Sequence, residues 1–445
     1  MTNQSTHSEF YHALTIDSNM CTGCTNCMRV CPTEAIRIRQ GKAVLNKNKC
    51  VDCGECCRVC PVKAIYIKHD DFSEILKYRY RIALVPAVFI GQFSQQIRVS
   101  EIYACMKELG FTHIYEVEHG VGLVTEAYRN YMEQQAPKTY ISPFCPAVVR
   151  LIQVRFPSLI PNIIHIKVPL DFAAYTIIGR LCAAGIKREE IGVFYLTPCA
   201  AKIASVKSPV EGEKSEIAGV INMDIMYNKV RQILINKPAA VDPINHTLRG
   251  IDVLYGLSGG EAMHYAGRCF AIDGMKNVIE FLEQLENDKI QDVDFIELRA
   301  CDQSCAGGVL TSANRFLAIE RLKNRAKHID TLNKTRSLPS PCVNKQFLES
   351  LKSNIDIPEI KPRNMLPIGN NMQESMALLE QMKQLEASLP GVHCGLCGAP
   401  TCHAFAEDVV LGMAETNDCV FNIRQDPKTM AADSEIWGID KYFEL

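Results

Sequence analysis

What this sequence lacks narrows its function before any motif is read. It has no excess of charge of either sign: 48 Lys and Arg against 50 Asp and Glu leave a net charge of −2, so no basic field favours nucleic acid or anionic lipid. It also has no long hydrophobic run. The longest apolar stretch, Ile82 to Phe93, is broken by Pro86 and falls well short of the ~20 residues that a membrane span needs. The opening MTNQSTHSEF is polar, without the basic-then-apolar layout of a secretory signal. These absences speak against nucleic acid and a membrane span as partners, and the expected location is cytoplasmic.

Cysteine, by contrast, is abundant. With no export signal expected, the twenty-one cysteines are not expected to form a disulfide framework, because the cytosol keeps thiols reduced, and metal ligation is the expected use. Nine lie between Cys21 and Cys60, four between Cys394 and Cys419, and eight in the middle. With 445 residues, 47% of them hydrophobic, there is room for about three domains and a sizeable core. The expected divisions are residues 1–78, 79–320, a connecting segment 321–371, and 372–445.

The first segment repeats itself: MCTGCTNCMRVCPTEAIRI is echoed by KCVDCGECCRVCPVKAIYI. Each half has the spacing C-x2-C-x2-C-x3-C-P, that of bacterial two-cluster ferredoxins, in which the fourth cysteine of each run binds the other run's cluster. Cys21, Cys24, Cys27 and Cys60 are therefore expected to hold one [4Fe–4S] cluster, and Cys50, Cys53, Cys56 and Cys31 the other. Zinc also suits C-x2-C pairs, but it does not explain a three-cysteine run followed by Cys-Pro, twice. Cys57 fits neither set and reads as a packed thiol.

From Tyr80 to Ile319 apolar runs alternate with amphipathic stretches. IALVPAVFI, THIYEV, TYISPF, IGVFYLT and IDVLYGL read as buried strands, while IRVSEIYACMKELG and DFAAYTIIGRLCAAG have helical spacing and end at glycine. The expected class is α/β with largely parallel sheets. Glu320 to Asn371 is polar and expected to be irregular, and Met372 to Leu389 reads as an amphipathic helix.

Three middle segments carry cysteine at a strand end or turn: SPFCPAVVRLI at 142–152, TPCAAKIASVKSP at 197–209 and LRACDQSCAGG at 298–308. In an α/β sheet the carboxyl ends of the strands converge on one crevice, so Cys145, Cys199, Cys301 and Cys305 are placed to share a cubane. The alternative is buried cysteines acting as small hydrophobes. These segments resemble the signatures of the iron-only, or [FeFe], hydrogenases, TSCCPxW, MPCxxKxxE and CxxxC, in the same order, and ALVPAVFIGQF resembles that family's APAVR stretch. The resemblance implies that the four cysteines hold a cubane and that Cys305 also bridges to a two-iron subcluster with carbonyl and cyanide ligands. It further implies that Lys202 hydrogen-bonds a cyanide, which makes Cys305 and Lys202 the catalytic candidates. Lys202 alternatively reads as a solvated surface lysine. Phe144, Thr197 and Lys202 are expected to line the cofactor pocket.

The departures matter as much. Phe144 stands where the family has its proton-transferring cysteine, Thr197 replaces a methionine and Ser205 a glutamate. Losing a general acid typically costs ~100- to 10,000-fold in rate, so fast H2 turnover is not expected. The form SPFCPAVV is similar to the sensory branch of the family.

The last segment, GVHCGLCGAPTCHAF continued to NDCV, gives C-x2-C-x4-C-x16-C. It resembles the four-cysteine [4Fe–4S] domain of several redox proteins, including corrinoid iron–sulfur proteins, and implies Cys394, Cys397, Cys402 and Cys419 as ligands. Zinc is the alternative, kept open by His393 and His403. Sixteen cysteines are thus assigned, with Cys57, Cys105, Cys182, Cys269 and Cys342 left over; Cys105 and Cys182 read as core residues.

The expected whole is an α/β iron–sulfur redox protein with a ferredoxin-like N-terminal domain, a central hydrogenase-like domain with largely parallel sheets, and a small C-terminal iron–sulfur domain. Its expected role is low-turnover H2 chemistry or H2 and redox sensing, as a slow ferredoxin-linked oxidoreductase with an electron-carrier or signalling partner. The alternatives are a non-catalytic electron-transfer module that lacks the diiron site, and an enzyme re-using the pocket for another reductive substrate.

Overall fold

The structure is a computed structural model that describes residues 10–136, 138–209, 215–236, 248–336, 352–363 and 371–423. The chain divides into two compact units. The first comprises Met1–Thr15, Val51–Gly54 and Ile67–Pro362, and the second Ile16–Cys50, Glu55–Tyr66 and Arg363–Leu445.

Two all-parallel sheets build the first unit. One orders His113–Glu116, Tyr80–Val85, Ile191–Thr197 and Gly219–Asn222, and the other Cys269–Asp273, Phe295–Arg299 and Tyr140–Ile141. Every residue of Ile191–Thr197 and of Phe295–Arg299 is buried, as expected of strands covered on both faces by helices. Each strand that carries a candidate site runs into a turn and then a helix. Pro146–Arg155 follows Tyr140–Ile141, and Ala200–Lys207 follows Ile191–Thr197. The turn with the short helical segment Ser304–Gly307 follows Phe295–Arg299.

Three expected elements differ. In IALVPAVFI the strand stops at Val85: Pro86 cannot donate to a ladder, and its carbonyl instead accepts from Phe89 N–H at 2.9 Å, opening the helix Ala87–Gly91. IDVLYGL is not a strand but holds a helical turn, Gly250–Val253, because Arg249 Nε donates to Asp252 Oδ2 at 2.8 Å and closes it. A short apolar run does not reveal this by periodicity. The polar stretch after Ile319 is not irregular at its start, since a 22-residue helix runs from Arg315 to Arg336. Its core-facing stripe is thin, with Ala318, Leu322, Ala326 and Ile329 buried in the main apolar cluster among many exposed charges.

In the second unit, Ile36–Arg39 and Lys42–Leu45 form a hairpin, and Met372–Ser388 is the expected helix, capped by Asn371, whose side chain accepts from Glu374 N–H at 2.8 Å. The helix Cys402–Val410 follows, capped by Thr401. No helix among the described residues is long and apolar enough to cross a membrane.

Candidate metal centres

The central site lies where strands of both sheets end. Cys145 and Cys199 are the residues that open the helices Pro146–Arg155 and Ala200–Lys207, while Cys301 and Cys305 occupy the turn after Phe295–Arg299. Burial pushes the Cys199 thiol up to about 12, with Lys202 pulling it back and the neighbouring Cys305 and Cys145 adding to the rise. Cys145, Cys199 and Cys305 therefore share one neighbourhood. The carbonyl of Cys301 accepts from Ser304 N–H at 3.0 Å, which folds the turn that presents Cys305. Thr197 braces the next turn: its hydroxyl donates to the Cys199 carbonyl at 3.0 Å and accepts the Cys199 N–H at 3.3 Å.

Beside these cysteines is a small cavity whose lining includes Phe144, Lys202, Cys305, Glu118, Tyr195 and Pro198. Thr197 is not part of the lining. Lys202 is buried rather than solvated. Burial opposes its charge, yet Tyr195, Cys305 and Cys199 more than offset this and hold its pKa above the ordinary lysine value. Phe144 is 6% exposed and lies between two cations, with Lys202 Nζ at 4.1 Å and the Arg299 guanidinium carbon at 3.9 Å from its ring centroid.

Behind Phe144 is a buried polar network absent from the sequence reading. Ser142 Oγ donates to Glu261 Oε1 at 2.7 Å and accepts the Phe144 N–H at 3.1 Å. Glu261 also receives Tyr255 OH at 2.9 Å and Arg299 Nη2 at 2.7 Å, and Glu297 accepts the N–H groups of Glu261 and Ala262 at 3.0 Å. The one available signal was the pair of charges in FIELR, a strand otherwise apolar. Glu118 was missed as well. Its Oε1 accepts Ala87 N–H at 2.7 Å, whereas its Oε2 is buried without a hydrogen-bond partner. Burial, with help from Glu116, raises its pKa to about 8, so at neutral pH it is largely a neutral acid.

One loop of the first cysteine segment belongs to this unit. Asp52, 1% exposed, accepts from Arg150 Nη1 at 2.9 Å and from the N–H groups of Ala13 and Leu14 at 3.2 and 3.4 Å, and His12 Nδ1 lies 2.8 Å away. Gly54 (φ +84°) packs so closely that a Cβ would sit 2.7 Å from Val309. Val51 and Cys53 are thereby fixed against the apolar cluster that also receives Cys145 and Cys199.

In the second unit, Cys21, Cys24, Cys27 and Cys60 line a single cavity, with Ile38, Ala43 and Ile65 completing its wall. Backbone N–H groups point at sulfur here, from Ala43 to Cys21 Sγ at 3.3 Å and from Ala35 to Cys31 Sγ at 3.2 Å. Cys31, Cys50 and Cys56 lie in the same unit. Cys394, Cys397, Cys402 and Cys419 line another cavity, walled by Phe405, Leu389 and Phe421. There His393 Nδ1 accepts the Cys402 N–H at 3.0 Å and His403 pairs with Glu386, so both rings have structural partners.

Of the unassigned cysteines, Cys57 donates to the Ile65 carbonyl at 3.2 Å and Cys105 is fully buried, whereas Cys182 is exposed and not a core residue. Cys269 is half-buried on a strand, and Cys342 lies outside the described residues.

Comparison with known proteins follows this layout. Residues 13–68 match a family model for a 4Fe-4S dicluster domain, residues 80–263 that for the iron only hydrogenase large subunit, C-terminal domain, and residues 389–421 one for an Fe-S cluster. No curated protein matches the chain in sequence. Among solved structures, an [FeFe]-hydrogenase from work on stepwise H-cluster assembly is similar at 15% identity and TM-score 0.47, over 64% of this chain and 94% of that one. A variant of the [FeFe]-hydrogenase of Chlamydomonas reinhardtii is similar at 15% identity and TM-score 0.46, over 66% and 95%. Matched in its three parts and in this order, the chain is a hydrogenase-like iron–sulfur protein, in which a region that matches the iron-only hydrogenase large-subunit model lies between regions that match a 4Fe-4S dicluster and a further Fe–S model.

Proposed function

We propose that four [4Fe–4S] clusters are held by the sixteen cysteines assigned above, and that electrons pass through the ferredoxin-type segment to a central site performing slow H2 chemistry or sensing H2 and redox state. The observation that carries this reading is the central cavity, where Cys305 and Lys202 are retained while Phe144 stands in place of a proton donor. The donor set fits the group. Cys199 with Cys145 and Cys305 near it, Cys301 on the turn that carries Cys305, and a buried lysine suit a cubane with a diiron subcluster, for which Cys305 would supply the bridging thiolate and Lys202 a hydrogen bond to a cyanide.

Such a subcluster, when bound, would supply the redox chemistry of hydrogen. The chain's own residues set the limits on it. Phe144 has no exchangeable proton, and its ring fills the approach between Lys202 and Arg299. Lys202 is buried against the Phe144 ring, where its ammonium can donate a hydrogen bond. Proton delivery is therefore the slow step, which suits sensing better than bulk turnover. Cys53 packs against the same apolar cluster as Cys145 and Cys199, which supports an electron path into the site.

The deciding experiment is the infrared spectrum of protein matured anaerobically with hydrogenase assembly factors. Carbonyl and cyanide bands are the expected result. Their absence from a sample fully loaded with iron and acid-labile sulfide would leave the second reading, an electron-transfer module of cubanes alone.

A further inference from the structure

The loops that line the two cysteine-lined cavities of the second unit are joined by a backbone hydrogen bond. Ile38 lines the cavity of Cys21, Cys24, Cys27 and Cys60, and its N–H donates to the Gly398 carbonyl at 2.8 Å. Gly398 directly follows Cys397 of the other site. Arg39 Nη1 joins the same two loops, donating to the Ile38 carbonyl at 3.1 Å and the Cys397 carbonyl at 3.3 Å. The approach requires glycine: at Gly398 (φ +78°) a Cβ would lie 2.0 Å from Ile38 O, and at Gly395 it would lie 2.9 Å from Met28 Cε, the residue after Cys27.

Charges hold the contact in register. Asp408, 1% exposed on the helix that begins with Cys402, accepts from Arg37 Nε at 2.6 Å and also from Arg39. Its neighbour Glu407 pairs with Lys49, the residue before Cys50. Buried, charge-assisted bonds of this kind fix geometry closely, because losing either partner leaves an unpaired charge.

We infer that the C-terminal Fe–S domain and the first ferredoxin-type cluster form an electron-transfer pair, joined through Ile38 and Gly398 and clamped by Arg37, Arg39 and Asp408. The C-terminal cluster is then in series with the ferredoxin clusters rather than a separate ornament of the chain. The transfer moves one electron, oxidising one cubane as it reduces the other, with no bond made or broken; a one-electron reductant supplies the charge. This rests on the cluster assignment proposed above.

The test uses the full-length protein, loaded anaerobically and reduced with dithionite. Its electron paramagnetic resonance spectrum is expected to show a magnetic interaction beyond that between the two ferredoxin cubanes. That extra interaction should be lost in Cys402→Ser, which removes one partner, and weakened in Asp408→Asn and Gly398→Val, which keep both clusters but disturb the joint. Hydrogen exchange provides a readout independent of cluster spin: the Ile38 amide should be protected in the parent protein and faster in Gly398→Val. If iron and sulfide are short of four cubanes, the cluster assignment fails. If all four are present, yet the spectrum lacks the extra interaction and the Ile38 amide exchanges freely, the assignment stands and the pairing is overturned.

Discussion

Phe144 stands beside the central cavity with a cation on either side of its ring, so replacing it changes both chemistry and stability. In matured protein, Phe144→Cys is expected to raise H2 evolution, measured electrochemically, because it restores a thiol where a proton donor is missing. The same change should lower stability by ~3 kcal/mol in denaturant unfolding, since a buried ring and its two cation contacts are lost. Glu118 leads to a pH prediction. Its pKa is about 8 in the folded protein and near the ordinary carboxylate value when unfolded, so between these pH values the folded state holds the extra proton. Its contribution is fully present below the unfolded pKa and is lost as pH rises towards 8. Glu118→Gln keeps the oxygen that Ala87 N–H needs and should flatten this part of the stability profile, followed by thermal melts from pH 5 to 9.

At the scale of elements, the parts that position the site were legible where one physical signal was strong. IGVFYLT is long, wholly apolar and ended by Pro-Cys, and it is the strand Ile191–Thr197. The helix Arg315–Arg336 was hidden because its buried stripe is only one small or apolar residue wide per turn. Leu322 is one of the two large members of that stripe, with Ile329, and Leu322→Ala should cost ~2–4 kcal/mol by denaturant titration. The strand-end and turn positions of Cys145, Cys199, Cys301 and Cys305 were legible in the sequence. The polar network of Glu261, Glu297 and Arg299 was not, because its members come from distant segments and sequence does not show which charges will be buried together. The Val51–Gly54 loop was half legible: its cysteine was marked by spacing, but its anchor, Asp52, looked like any loop acid. Asp52→Asn should destabilise the first unit by ~3–5 kcal/mol, since it removes the buried carboxylate charge that faces Arg150.

At the scale of the molecule, the two units differ in what holds them together. The first has extensive apolar clusters around its sheets, whereas the cluster around the C-terminal cysteines has few buried members, among them Phe405, Leu389 and Met382. A region with so little core depends on its metal. Chelating iron from the loaded protein is expected to unfold the second unit first, seen as rapid amide exchange over Met372–Ser388 and Cys402–Val410 while Ile191–Thr197 stays protected.

The anchoring of Asp52 by Arg150 also bears on how such a chain can be divided or recombined. A ferredoxin-like segment is often treated as a portable module, to be cut off at the first linker and joined to another enzyme. Here its second cysteine run contains a loop whose buried acid pairs with an arginine almost a hundred positions later, so excision would take that cation away from the acid. Transplantation of this segment would have to carry Arg150, or an equivalent cation, into the host.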